Sequence, residues 1–243
     1  MSARTLVLLP GLMCDDAIWA PSLPGLPAGW NPWVANYGLS DSLKAMAEAV
    51  LAGAPQGPFA LAGHSMGGRV ALEVLRLAPQ RVSHLALLDT GHTPRAVGEP
   101  GAEEARKRYA LLELARTQGV RAMAQTWVQG MVAPDRLMDA ELIDRIVSMF
   151  ARKSAEVFAA QIQALLHRPD ASEALRSVTV PTLLQCGAID AWAPPAQHEA
   201  MRALVPHAAL DLIEHAGHMA PMEQPQAVAA SLSRWLMQTG EGS

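Results

Sequence analysis

Pro58-Phe59-Ala60-Leu61-Ala62-Gly63-His64-Ser65-Met66-Gly67-Gly68 is an apolar run that breaks on a glycine-flanked serine and gives way to a helical pattern. Pro58 to Ala62 reads as a strand. Met66 to Pro79 reads as a helix, with Val70, Val74 and Leu77 on one face and Arg69, Glu73 and Arg76 on another. Between them, Gly63-His64-Ser65-Met66-Gly67 has the G-x-S-x-G form of a nucleophile elbow. A serine turned that sharply between strand and helix is strained and crowded, so small residues are needed two positions to either side. Gly63 and Gly67 meet that need.

A hydroxyl becomes a nucleophile only with a base to take its proton and an acid to orient that base, here expected in the chain order Ser, Asp or Glu, His. Asp190 follows the apolar run Val180 to Ile189, which reads as a buried strand ending in a loop. His218 lies in His215-Ala216-Gly217-His218-Met219, after the strand-like run Ala208 to Ile213, and Gly217 is expected to let that loop turn tightly toward the serine. Two rivals stand beside them. Asp89 closes the strand Ser83 to Leu88, and His215 competes with His218 over three residues. The Gly187-x-x-Asp190 setting and the deeper loop position of His218 favour the first pair. The backbone N–H of Met66, the residue after the serine, and that of Leu12, in the loop after the strand Thr5 to Leu9, are the expected donors to a developing oxyanion.

With these segments together, Leu8-Leu9-Pro10-Gly11, the elbow, Gly187-Ala188-Ile189-Asp190 and Gly217-His218-Met219 with Glu223 and Pro225 behind it, the chain resembles the α/β-hydrolase superfamily over nearly its whole length. The resemblance implies an α/β fold, a mostly parallel central sheet flanked by helices, with a helical cap inserted after the strand that carries Asp89. It also departs from the commoner pattern. Pro10 stands where many relatives have histidine, and the chain starts almost directly with the strand at Thr5 rather than with a leading hairpin. The motifs do not choose among esterases, lactonases, thioesterases and C–C bond hydrolases. They do disfavour a haloalkane dehalogenase, which uses aspartate where this elbow holds Ser65.

The organisation expected on either side of the elbow is alternating strand and helix, the signature of a largely parallel sheet. A strand is expected near Trp33 to Tyr37 and a helix near Ser42 to Leu51. From Gly91 to about Arg176 the alternation stops, and helical runs appear at Ala102 to Thr117, Val120 to Met131, Asp139 to Arg152 and Glu156 to His167. The sheet resumes near Val178, with later helices over Gln197 to Leu204 and Pro225 to Met237. The division is therefore a core of residues 1–90 and 177–243 and a cap of residues 91–176.

A chain of 243 residues, half of them apolar, suits one compact catalytic unit. Its net charge of -4 offers no basic field to nucleic acid. The cap holds 12 of the 19 Lys and Arg residues, which reads first as ordinary solvated helix faces and second as a bias toward an anionic substrate. Gln161 and Arg168 are candidate polar contacts within it, with surface roles as the default. Met13, Met66, Met219 and Met222 adjoin the motifs and suit either an adaptable apolar pocket or plain core packing. Cys14 and Cys186 suggest a reducing compartment rather than a disulfide, and Cys14 reads as a small buried hydrophobe. No zinc-ligand spacing or phosphate-binding glycine motif is present, so neither metal nor cofactor is expected. No apolar stretch reaches membrane-spanning length, and the start lacks a signal-peptide layout. The expectation is a cytoplasmic serine hydrolase, monomer or homodimer, acting on a small-molecule ester or lactone. C–C bond cleavage of a vinylogous diketone acid, thioester hydrolysis and a non-catalytic ligand receptor are the alternatives.

Overall fold

In the computed structural model, which describes residues 4–238, six strands form one sheet in the order β2-β1-β3-β4-β5-β6. They are β1 Arg4–Leu9, β2 Trp30–Val34, β3 Phe59–His64, β4 Val82–Leu88, β5 Thr182–Gly187 and β6 Ala209–Ile213. Every pairing among them is parallel. The expected core limits at residues 1–3 and 239–243 lie outside the described residues.

Parallel strands need covered faces, and the central ones are buried along their length. All six residues of β3 and all six of β5 are buried. The outer strand β2 tolerates Pro32, whose missing N–H would break an inner ladder. That proline explains a shift: the strand lies at Trp30–Val34, upstream of the span expected near Trp33 to Tyr37.

Ten α-helices accompany the described strands: α1 Leu43–Gly53, α2 Met66–Leu77, α3 Glu99–Gln118, α4 Val120–Trp127, α5 Ala140–Ala151, α6 Ala155–Leu166, α7 Ser172–Arg176, α8 Pro195–Leu204, α9 Ala220–Glu223 and α10 Pro225–Leu236. Side-chain caps explain several starts. Ser42 accepts from the Ala45 N–H, Asp139 from Leu142 and Ser154 from Val157. Helices α1, α2, α7 and α8 form a packed row, and α10 packs against β4, β5 and β6.

The helices α3 to α7 stand between β4 and β5 as a helical insertion. Their positions follow the sequence periodicity closely, with two differences. The α4 helix stops at Trp127 and continues as a 3₁₀ turn over Val128–Gly130, and the short α7 before β5 has no counterpart in the pattern read from sequence. Among the described residues, no helix is long and apolar enough to cross a membrane.

Candidate active site

The site begins with backbone strain. Ser65 sits between β3 and α2 with φ 54° and ψ -117°, a region that non-glycine residues rarely occupy. Such a conformation persists only where its surroundings impose it. The Ser65 N–H donates to the Leu88 carbonyl at 2.8 Å, and the Thr90 hydroxyl donates to the Ser65 carbonyl at 2.6 Å, so the end of β4 and the loop after it clamp the turn from both sides. The crowding is as severe as the motif implies. A Cβ on Gly63 would lie 2.3 Å from the Gly67 carbonyl oxygen, and one on Gly67 would lie 2.0 Å from that of Leu9.

At the ends of β5 and β6 the chain delivers the two partners. His218 Nε2 lies 2.8 Å from Ser65 Oγ, and His218 Nδ1 lies 2.8 Å from Asp190 Oδ2. Because a carboxylate only accepts, Nδ1 carries the proton and Nε2 is the acceptor for the Ser65 hydroxyl. Asp190 is buried, which alone would raise its pKa. The His218 imidazole and the N–H groups of Ala193 and Trp192 outweigh that and hold the carboxyl below the usual range.

Neither rival occupies this chain of contacts. Asp89, at φ 48°, accepts the Gly187 N–H at 2.9 Å, and its other oxygen lies 3.7 Å from His64 Nε2. Burial, with Asp190 nearby, pushes the Asp89 carboxyl well above its ordinary pKa. His215 is exposed and occupies the left-handed region at φ 56°, while its carbonyl accepts from Gln224 Nε2 at 3.2 Å. It is therefore His215, and not Gly217, that turns the loop through a left-handed step. Gly217 serves close approach instead: a Cβ there would lie 2.7 Å from the Met131 carbonyl oxygen.

Several contributors were not assigned roles from sequence. Glu223 Oε1 accepts the N–H groups of Gly217 at 2.9 Å and Met219 at 3.1 Å, while Oε2 accepts the Ala133 N–H at 2.7 Å. With the His218 N–H donating to the Met131 carbonyl at 2.6 Å, this stitches the histidine loop to the insertion. The available signal was a carboxylate five residues beyond His218 at the end of a short helix. His64, the variable position of the pentapeptide, donates from Nε2 to the His218 carbonyl at 2.8 Å. Its burial, with His218 adding a smaller push, lowers its pKa to about 3 and keeps it neutral. Trp192 lies over the His218 ring at 5.0 Å between centroids and stacks on Trp127 of the insertion at 5.6 Å.

A cavity of about 120 Å³ holds Ser65 and His218 and is walled on the insertion side by Trp127, Met131, Phe150 and Leu165. Leu12 and Met66 both line it, and among the described residues neither backbone N–H has a hydrogen-bond partner. Met66 and Met219 reach the cavity wall, whereas Met13 and Met222 are buried away from it. The Cys14 thiol reaches the wall too, but burial, aided by Asp15, raises its pKa so far that it stays protonated. Gln161 is neither exposed nor on this wall. Its Oε1 accepts the Met13 N–H at 2.8 Å and holds the loop after β1 in place. Arg168 is not a surface residue either: Nη1 and Nη2 bind the two oxygens of Glu104 at 2.7 and 2.8 Å.

Against known proteins, the chain is 26% identical over 249 residues to a pimeloyl-(acyl-carrier protein) methyl ester esterase of Aliivibrio salmonicida, covering 97% of this chain and 93% of that one. Among solved structures it is similar to a thermophilic esterase from Thermogutta terrifontis, with a TM-score of 0.85 and 26% identity over 97% of this chain and 90% of the other. The enol-lactonase of Burkholderia xenovorans LB400 shares the fold, at a TM-score of 0.82 and 20% identity, over 98% of this chain and 93% of that one. The alpha/beta hydrolase model spans residues 4–231, and the chain belongs to that family.

Proposed function

We propose that this protein is a serine hydrolase of small carboxylic esters or lactones that works through an acyl-enzyme on Ser65. The observation that carries the reading is the pair of 2.8 Å contacts running from Ser65 Oγ through His218 to Asp190. His218 Nε2 takes the hydroxyl proton as Ser65 Oγ bonds to the ester carbonyl carbon. The carbonyl oxygen gains charge, and the unpartnered N–H groups of Leu12 and Met66 are its donors. When the tetrahedral species collapses, the carbonyl carbon–leaving oxygen bond breaks and His218 returns the proton to the alcohol. Water, deprotonated by the same imidazole, then attacks the acyl carbon, releases the acid and restores Ser65. Asp190 fixes the tautomer and stabilises the imidazolium throughout.

The helices of residues 91–176 act as a lid in this reading, because Trp127, Met131, Phe150 and Leu165 close the cavity over Ser65. The similarity to proteins named as esterases favours ester over C–C chemistry. The test is turnover of a panel of p-nitrophenyl acyl esters and simple lactones. Wild type is expected to hydrolyse short members, with Ser65→Ala at least about 10³-fold slower and equally stable. Ester turnover that survives in Ser65→Ala sinks the proposal.

A further inference from the structure

The cavity at Ser65 adjoins a larger cleft of about 840 Å³, and the two share Arg69, Arg108, Trp127, Trp192 and Gln197 as walls. The charged lining of that cleft is one-sided. Arg69, Lys107, Arg108 and Arg168 line it with a single carboxylate, Glu104, in a chain whose net charge is -4, while Lys107 also reaches Glu103 Oε1, outside the lining, at 3.5 Å. Glu104 is already engaged twice, by Arg168 at 2.7 and 2.8 Å and by Arg108 Nε at 3.0 Å.

Among the described residues, Arg69 has no such counter-ion within ion-pair distance. It stands one helical turn beyond Ser65 on α2, in the wall of the same cavity, and its Nη1 donates to the Thr93 carbonyl at 2.8 Å. Burial, together with the Arg168 and Arg108 guanidiniums and despite Glu104, pulls its pKa down to about 9. A guanidinium held partly away from water beside two others is costly without an anion. Its planar donor fork matches a carboxylate in two-point contact.

We propose that Arg69 is a specificity-determining residue that receives a free carboxylate on the substrate, so that the site selects esters carrying a second, ionised acid group. This rests on the ester-hydrolase reading and names its substrate class. The chemistry at Ser65 is unchanged; what Arg69 adds is binding energy and register for the far end of the molecule. In the cleft, Lys107, Arg108 and Arg168 supply a positive field that draws such an anion inward.

The experiment compares monomethyl esters of short dicarboxylic acids with neutral methyl esters of equal length. A parallel series of acetylated hydroxy acids places the carboxylate on the leaving side. Arg69→Met is expected to lower kcat/KM at least about tenfold on one charged series, mainly through KM, and to change neutral esters less than about twofold. Arg69→Lys should recover part of the loss. Equal effects on charged and neutral esters, or none on either, overturn the inference, and retained neutral turnover in that case leaves the hydrolase reading standing. Calorimetric binding of glutarate gives a readout independent of turnover. A Kd weakened about tenfold or more in Arg69→Met supports the carboxylate site even if no ester is hydrolysed, and an unchanged Kd or no binding to wild type overturns it.

Discussion

Asp89 and Asp190 stand beyond the ends of the paired strands β4 and β5, both fully buried, yet their surroundings push them in opposite directions. Asp190 accepts the N–H groups of Trp192 and Ala193 through one oxygen and His218 Nδ1 through the other. Asp89 accepts the Gly187 N–H, and among the described residues its second oxygen has no hydrogen-bond partner. Burial is common to both, so it cannot decide which is the anion. The donors decide it: three hold Asp190 low, and one leaves Asp89 raised. Each carboxyl faces one histidine. Only Asp190 faces the histidine that touches Ser65, while Asp89 lies near the neutral His64.

The sharpest way to break this contrast is to neutralise each carboxyl with an isosteric amide. Asp190→Asn should cut kcat by about 10³–10⁴-fold at neutral pH, because an amide at that position favours the wrong imidazole tautomer. Asp89→Asn should stay within about tenfold of wild type, since it orients no group at the serine. Steady-state kinetics on one good ester checks both, and a reversed ranking would assign the acid to β4.

A smaller effect sharpens the same contrast through stability. A carboxyl whose folded pKa is raised contributes stability below its unfolded value of about 4, and loses it as pH rises. One whose folded pKa is lowered contributes above about 4, and loses it as pH falls through the folded value. Urea denaturation at several pH values should therefore show Asp89→Asn gaining on wild type between about pH 4 and pH 8. Asp190→Asn should run at a constant deficit over the same interval, and the deficit should close only below about pH 4, as the wild-type carboxyl protonates. Parallel pH profiles for the two variants would contradict opposite ionisation.

Where a backbone demand or a strand end dictates the residue, the sequence was enough. Gly63 and Gly67 announce an elbow because a Cβ at either would collide with a carbonyl, and β3 and β5 announce buried strands by their mainly apolar runs. Chain order and loop position pointed to Asp190 and His218, the residues that contacts of 2.8 Å link to Ser65. What escaped is non-local. The helical period groups Arg69 with Glu73 and Arg76, yet nothing in that period shows that Arg69 lies in a cavity wall beneath the insertion, or that Glu73 is buried against Arg76. Gln161 reaches Met13 across 148 positions, and Glu223 reaches Ala133 across 90. Both contacts arise when the insertion settles on the core, and periodicity within one helix carries no record of that docking.

Covalent labelling of the folded protein reads out whether Ser65 is an activated nucleophile. Treated with a fluorophosphonate, wild type should gain one adduct, mapped by mass spectrometry to Ser65 and absent from Ser65→Ala. An unlabelled native protein, or an adduct that persists in Ser65→Ala, would mean that Ser65 is not the nucleophile.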